Sequence, residues 1–269
     1  MREFQDKTAV ITGAGCGIGR ALANQLAEKG MHLALVDVRA ERLGEVAEEI
    51  ERTPGRVSTH ALDVRDVEAM RGLVDDVLAV HGAVHLLVNN AGVTAWGSIE
   101  EMDLESFRWV FEINFWGVMH GCKFFLPHLK QQAEAHIVNV SSVFGIVAAR
   151  HQAAYCSSKF ALRGFSESLA AELEGTGVGV TIVHPGGVAT HFVTDSRTAD
   201  DDARNAFADL VAQYSQTPEK VARAIVKGVE RNRLRVLVGM EARPFDWAKR
   251  LFPSGAQRRI ARFLAKSMP

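Results

Sequence analysis

A run of β-favouring residues, Thr8-Ala9-Val10-Ile11-Thr12, leads straight into Gly13-Ala14-Gly15-Cys16-Gly17-Ile18-Gly19, and that turn opens a helical pattern over Ile18–Lys29. No other feature constrains the chain as strongly. Glycines permit the tight turn and let a phosphate approach the backbone, while the helix N-terminus beyond presents partial positive charge. Gly13, Gly17, Ile18 and Gly19 are therefore candidate contacts for a pyrophosphate. Asp37 closes the next strand-like run, 18 residues after Gly19, near the ~20 expected of an acid that binds a ribose. A carboxylate there accepts hydrogen bonds from a 2′-hydroxyl and repels a 2′-phosphate. Val38 and Cys16 offer no cation to such a phosphate, although Arg20 and Arg39 are close in sequence. NAD is the expected cofactor, with NADP the runner-up.

The alternation begun by this junction continues along the chain. Strand candidates are Thr8–Thr12, Leu33–Val36, Val57–Ala61, Leu86–Val88, Ile137–Val140, Val180–Val183 and Val236–Val238. Helical patterns fall at Ile18–Lys29, Ala40–Glu51, Val67–Val80, Leu104–Leu129, Ala153–Glu174 and Pro218–Arg231. Strands that are apolar throughout imply burial on both faces, and strand–helix–strand alternation builds a parallel sheet with right-handed crossovers. The fold class expected is α/β, a doubly wound parallel sheet with helices on both faces. No linker or repeat interrupts it, so residues 1–240 read as one unit. Residues 190–216 are polar and show no clear strand, which suits a segment covering the carboxyl edge of the sheet. Residues 241–269 read as a basic amphipathic C-terminal extension.

Composition excludes several classes. Of the 269 residues, 47% are hydrophobic and 23% charged, which is inconsistent with disorder. No stretch of about 18 apolar residues occurs, so no membrane-spanning helix is expected. A net charge of −1 makes no case for nucleic acid. Cys16, Cys122 and Cys156 are odd in number and scattered. With a strand starting too early to leave room for a signal peptide, they point to free thiols and a cytoplasmic location. His81 and His85 flank Gly82-Ala83 without an acidic or cysteine partner close by, and no metal is expected.

Tyr155 and Lys159 stand four apart in a helical pattern and so share a face. A phenol is a poor base near neutrality, and an ammonium beside it favours the phenolate, the form that abstracts a proton. Ser141-Ser142 end the preceding strand, and a hydroxyl at Ser142 would hold a substrate oxygen near Tyr155; two serines there are equally ordinary turn formers. With Thr12-Gly13-x-x-x-Gly17-x-Gly19, Asn89-Asn90-Ala91-Gly92, Asn114, Ser142, Tyr155-x-x-x-Lys159 and Pro185-Gly186 all in order, the chain resembles the short-chain dehydrogenases/reductases of the single-domain type. The likeness runs from about Asp6 to Val238.

That resemblance implies a role for each matching residue. Tyr155 would be the general acid/base, Ser142 would bond the reacting oxygen, and Lys159 would tune Tyr155 and bind the nicotinamide ribose. Asn114 would hold a water linking Lys159 to solvent. Asp63 and Val64 would contact adenine. Asn90, Ala91 and Gly92 would line the cofactor, and Pro185, Gly186, Val188 and Thr190 would meet its nicotinamide half. The resemblance also implies a homodimer or homotetramer through Leu104–Leu129 and Ala153–Glu174. Residues it places near the cleft include Thr94, Trp96, Phe144, Gln152 and Phe192, mostly apolar, which suits a small lipophilic alcohol or ketone. A non-enzymatic NAD-binding regulator or scaffold is the competing reading. Such proteins typically lose the tyrosine or the lysine, and both are present here.

Charge is unevenly spread. Residues 219–269 hold 13 Lys+Arg against 4 Asp+Glu, and within them Ala256–Lys266 is basic and amphipathic. Surface packing or an intersubunit contact is the first reading, with contact to a membrane surface the second.

Overall fold

A computed structural model of the chain describes residues 1–190, 192, 196–198, 204, 208 and 215–267. Its elements run β1 (Thr8–Thr12), α1 (Gly17–Glu28), β2 (His32–Asp37), α2 (Ala40–Ile50), β3 (Val57–Ala61), α3 (Val67–His81), β4 (Leu86–Asn89) and β5 (Ala95–Trp96). They continue with α4 (Leu104–Phe111), a π-helical turn (Glu112–Trp116), α5 (Gly117–Leu129), β6 (Ala135–Val140), a 3-10 turn (Val143–Gly145) and α6 (Ala153–Glu172). The remainder is β7 (Val178–Pro185), β8 (Arg197–Thr198), α7 (Pro218–Glu230), β9 (Arg235–Val238), α8 (Ala242–Leu251) and α9 (Pro253–Ser267).

Seven strands form one parallel sheet in the order β3-β2-β1-β4-β6-β7-β9. This is the doubly wound arrangement expected from the alternation. Successive strand residues feed opposite faces. Ala9, Ile11, Leu33 and Leu35 pack with α1, α2 and α7, whereas Val10, Ala34 and Val36 pack with α3, α5 and α6. Winding reverses between β1 and β4, and a crevice opens there beyond the strand ends, where such sheets bind ligands.

Three features depart from the sequence reading. The pattern over Leu104–Leu129 is interrupted at Glu112–Trp116, where the helix widens into a π turn. The period of apolar residues runs on through that turn and conceals it. Within the covering segment, Arg197 and Thr198 do form a short strand, parallel to Ala95 and Trp96; two residues are too few to show a period. Most of 190–216 lies outside the described residues. Finally, the stretch after 240 folds back as α8 and α9: Ala242, Ala256 and Ile260 are buried with Val143, Ile146 and Val147.

Candidate active site

The glycine turn is held from below by β4. Asn90 donates from Nδ2 to the carbonyls of Thr12 and Gly13, both at 3.0 Å, and Thr12 Oγ1 accepts from the backbone amides of Asn90 and Ala91. Gly13 has φ +64° and Gly17 has φ +53°, a region costly to any side chain. A Cβ on Gly13 would lie 2.9 Å from Ala91 Cα, one on Gly19 would strike the Gly13 carbonyl, and one on Gly17 would meet Thr190 Cγ2 at 2.8 Å. Ile18, between two of these glycines, is part-buried against the core. Helix α1 starts with no side-chain cap and no acid in its first turn, so its amides are offered to an anion.

Asp37 accepts from the amides of Gly15 (3.0 Å) and Arg39 (3.1 Å), which fixes its carboxylate at the end of β2. A cleft of about 430 Å³ lies between Cys16, Gly17, Arg20, Thr190 and Pro218. These residues fit a dinucleotide: a cradle that any Cβ would fill, an uncapped helix end for the pyrophosphate, and a positioned carboxylate for a ribose. Arg20 is drawn away to Glu45 and Glu49. Sequence reasoning missed Arg42, whose stem lies against Gly15 beside Asp37 and whose Nη1 is buried without a partner. Asp63 is bound by Arg65 (2.8 Å to Nε), which holds its carboxyl below the usual range. Val64 is buried against Gly117, and its carbonyl accepts from His120 Nδ1.

The other end of the cleft brings together Asn114, Ser142, Tyr155 and Lys159. Ser142 caps the 3-10 turn, accepting from Phe144 N at 3.1 Å, and its hydroxyl acts on the Tyr155 phenol to favour ionisation. Its carbonyl accepts from His184 Nδ1 at 2.9 Å, a positioning contact 42 residues distant that sequence gave no sign of. Lys159 is only 3% exposed; its Nζ donates to the Val140 carbonyl (2.9 Å) and sits 5.7 Å from the Tyr155 ring centroid. Burial pushes Lys159 down to about 7 and pushes Tyr155 up, the Ser142 bond opposing the latter. A neutral phenol beside an amine that titrates near 7 is suited to passing a proton in either direction.

The π turn carries Asn114 inward to full burial. Its amide donates to the Val93 carbonyl and Ser158 Oγ and accepts from Val93 N at 2.8 Å. Gly92 lies against both Asn114 Oδ1 and Lys159 Nζ: a Cβ there would stand 3.3 Å from the first and 3.5 Å from the second.

Of the residues expected near a substrate, Phe144 and Phe192 flank the Tyr155 ring edge-on, at centroid distances of 6.4 and 5.5 Å. Thr94 and Gln152 are both buried and bonded to each other (2.8 Å), which leaves Gln152 Nε2 buried without a partner. Trp96 is also buried and packs on His151. Pro185 ends β7, and Gly186 is packed against Glu241, which also accepts from Gly187 N. Val188 bridges to Gln216, and Thr190 Oγ1 accepts from Phe192 N. Cys156 is buried and pushed up to about 11, an inert thiol. His81 bonds Ser58, and His85 accepts from Thr8 N.

A family model described as short chain dehydrogenase matches residues 7–201. Across 100% of its length the chain is 40% identical to a Mycobacterium tuberculosis protein named as an oxidoreductase, SadH, covering 99% of that protein. It is 32% identical to a C alpha-dehydrogenase of Sphingobium sp., over 90% of this chain and 84% of that one. Among solved structures, a short-chain dehydrogenase/reductase from Burkholderia phymatum in complex with NAD superposes with TM-score 0.83 at 32% identity, covering 88% of this chain and 90% of that one. With the family pattern, the full-length relatives and the superposed fold all agreeing, the chain belongs to the short-chain dehydrogenase/reductase family and is an oxidoreductase.

Proposed function

We propose that the chain interconverts a hydrophobic secondary alcohol and its ketone with NAD, NADP being the second choice, and that Tyr155 is the general acid/base. The observation that carries this reading is Tyr155 itself. Its buried phenol has Ser142 in reach of the oxygen, Lys159 behind the ring, and the rings of Phe144 and Phe192 on its flanks. NAD is favoured by the Asp37 carboxylate and by the relative bound to NAD. Arg42 is the residue that would accommodate NADP. A Thermococcus sibiricus alcohol dehydrogenase at 28% identity and TM-score 0.75 was solved with 5-hydroxy-NADP.

A bound nicotinamide supplies the hydride acceptor in oxidation and the donor in reduction. In oxidation Ser142 Oγ holds the substrate oxygen and Tyr155 Oη takes its proton. Lys159, when protonated, stabilises the Tyr155 phenolate that accepts this proton and becomes the phenol, and Asn114 fixes the Val93 backbone and Ser158 beside it. Phe144 and Phe192 exclude water and supply the apolar wall. Gln152 Nε2 is the polar donor available for a second substrate atom. Exposed Leu104, Trp116 and Phe160 on α4, the π turn and α6 support a homo-oligomer through that face. Among the described residues no helix is long and apolar enough to cross a membrane, and free cysteines support a cytoplasmic site.

The test is initial-rate NADH formation from NAD with a panel of lipophilic secondary alcohols, run beside NADP and Tyr155→Phe. Turnover that requires Tyr155 and prefers NAD is the expected result. Firm NADH binding with no turnover on any panel member would favour the regulator or scaffold instead.

A further inference from the structure

Among the described residues, no core element covers one face of helices α8 and α9. On α8, Arg243, Trp247 and Leu251 are exposed, turned away from buried Ala242 and Asp246, while Arg250, also exposed, pairs with Asp246. Phe252 follows, and Met240 precedes the helix. Trp247, Leu251 and Phe252 are 65, 63 and 68% exposed. On α9, Arg258, Arg259 and Arg262 are exposed opposite buried Ala256 and Ile260. Residues 242–269 contain one acid, Asp246, and it is turned inward to Arg235 and Arg250.

We infer that this face docks on an anionic lipid bilayer. Large apolar side chains set among arginines, with no outward carboxylate, match an interface that is negative at the headgroups and apolar just beneath. A second copy of the chain is a poor occupant. A two-fold contact would press this arginine-rich face against an identical one, with Asp246 already paired and no other acid on these helices to offset the like charge. An indole and two bulky apolar side chains this exposed otherwise cost solubility. The docking face is also tied to the catalytic end. Gln257 on α9 bonds Ala148 through both its amide oxygen (3.3 Å) and nitrogen (2.9 Å), and α8 and α9 bury Val143, Ile146 and Val147 just after Ser142. A membrane-bound enzyme would therefore hold the loop beside its substrate cleft one helix layer from the lipid.

The full chain is mixed with sedimentable vesicles of phosphatidylcholine, with and without phosphatidylglycerol, and the bound fraction and Trp247 emission are read. Trp247→Phe is used to subtract the other tryptophans. The expected result is binding only to the phosphatidylglycerol vesicles, weakened by salt, with a blue shift assigned to Trp247. Replacing Arg258 and Arg259 by Gln should weaken binding about fivefold per arginine, and Trp247→Ser with Leu251→Ser should weaken it without altering NADH affinity. Equal pelleting with neutral vesicles, or binding that both variants leave intact, overturns the inference. So does a fall in oligomer mass of the Trp247→Ser, Leu251→Ser protein in lipid-free solution, which would make the face a contact between copies. Because no turnover is read, this test and the test of the proposed chemistry can fail separately.

Discussion

The two ends of the cleft are made by opposite means. At the glycine turn, room for a ligand comes from missing side chains: backbone groups of β1 and α1 are brought forward, and Asn90 and Thr12 lash them to β4. At the Tyr155–Lys159 end, the proposed chemistry rests on side chains whose titration is altered because they are buried with few compensating partners. The first end fails when atoms are added, the second when a functional group or its charge is changed. Steric and electrostatic construction thus predict different signatures for mutations in the two regions.

The largest expected effect is at the second end. Tyr155→Phe keeps the ring between Phe144 and Phe192 but removes the proposed proton carrier, so kcat/KM should fall about a thousandfold while NADH affinity changes little. A parallel loss of NADH affinity would show that the two ends are not separable. Next comes Gly19→Ala, whose methyl meets the Gly13 carbonyl. It should destabilise the fold by about 1–3 kcal/mol and weaken NADH binding, read by denaturant unfolding and fluorescence titration. Gly44→Ala, with open space around its Cβ, should instead be neutral or stabilising by up to about 1 kcal/mol. If both glycines behave alike, the steric account of the turn fails.

Stability against pH sharpens the electrostatic side. Lys159 titrates near 7 in the fold, below its ordinary value of 10.5. Between those values the unfolded chain binds the extra proton, so stability rises with pH, by at most about 1.4 kcal/mol per unit. Below about 7 this group adds no slope. The neutral thiols of Cys122 and Cys156, whose values are raised, pull the other way above about 9. Urea unfolding from pH 7 to 8.5 should therefore be steeper in pH for the wild type than for Lys159→Met; equal slopes would mean that Lys159 is already paired. The smallest effect is Gln257→Ala, which loses its bonds to Ala148 and should cost about 1 kcal/mol, or about 2–4 °C in Tm.

The same division explains how far the sequence could be read. Glycines mark the turn because only they fit it, and the seven sheet strands are found within two residues of their expected runs, mostly because burial on both faces demands apolar residues; edge strand β3, VSTHA and only partly buried, is the exception. Tyr155, Lys159 and Ser142 are brought together as their order along the chain suggests. The residues behind them were not legible. His184 reaches Ser142, Glu241 reaches Gly187 across 54 residues, and Gln257 reaches Ala148 across 109. A single polar side chain carries no period and no spacing, so only the closed fold reveals such partners. The inward faces of α8 and α9 were hidden for a related reason: basic residues dominate those helices, and a few small and branched side chains, Ala242, Ala256 and Ile260, do the packing.

The π turn at Glu112–Trp116 has a further consequence. Along a regular helix, side chains spaced four apart drift around the axis, because four residues overshoot a turn of 3.6. Val110, Asn114, Val118 and Cys122 are spaced in that way, yet all are buried. The wider turn slows the rotation midway and returns α5 to the phase of α4. Asn114 sits where that correction is made, so removing one residue from 112–116 would do more than displace an amide. It would rotate every side chain of α5 relative to the sheet and turn Phe125 and Leu129 away from the core they fill.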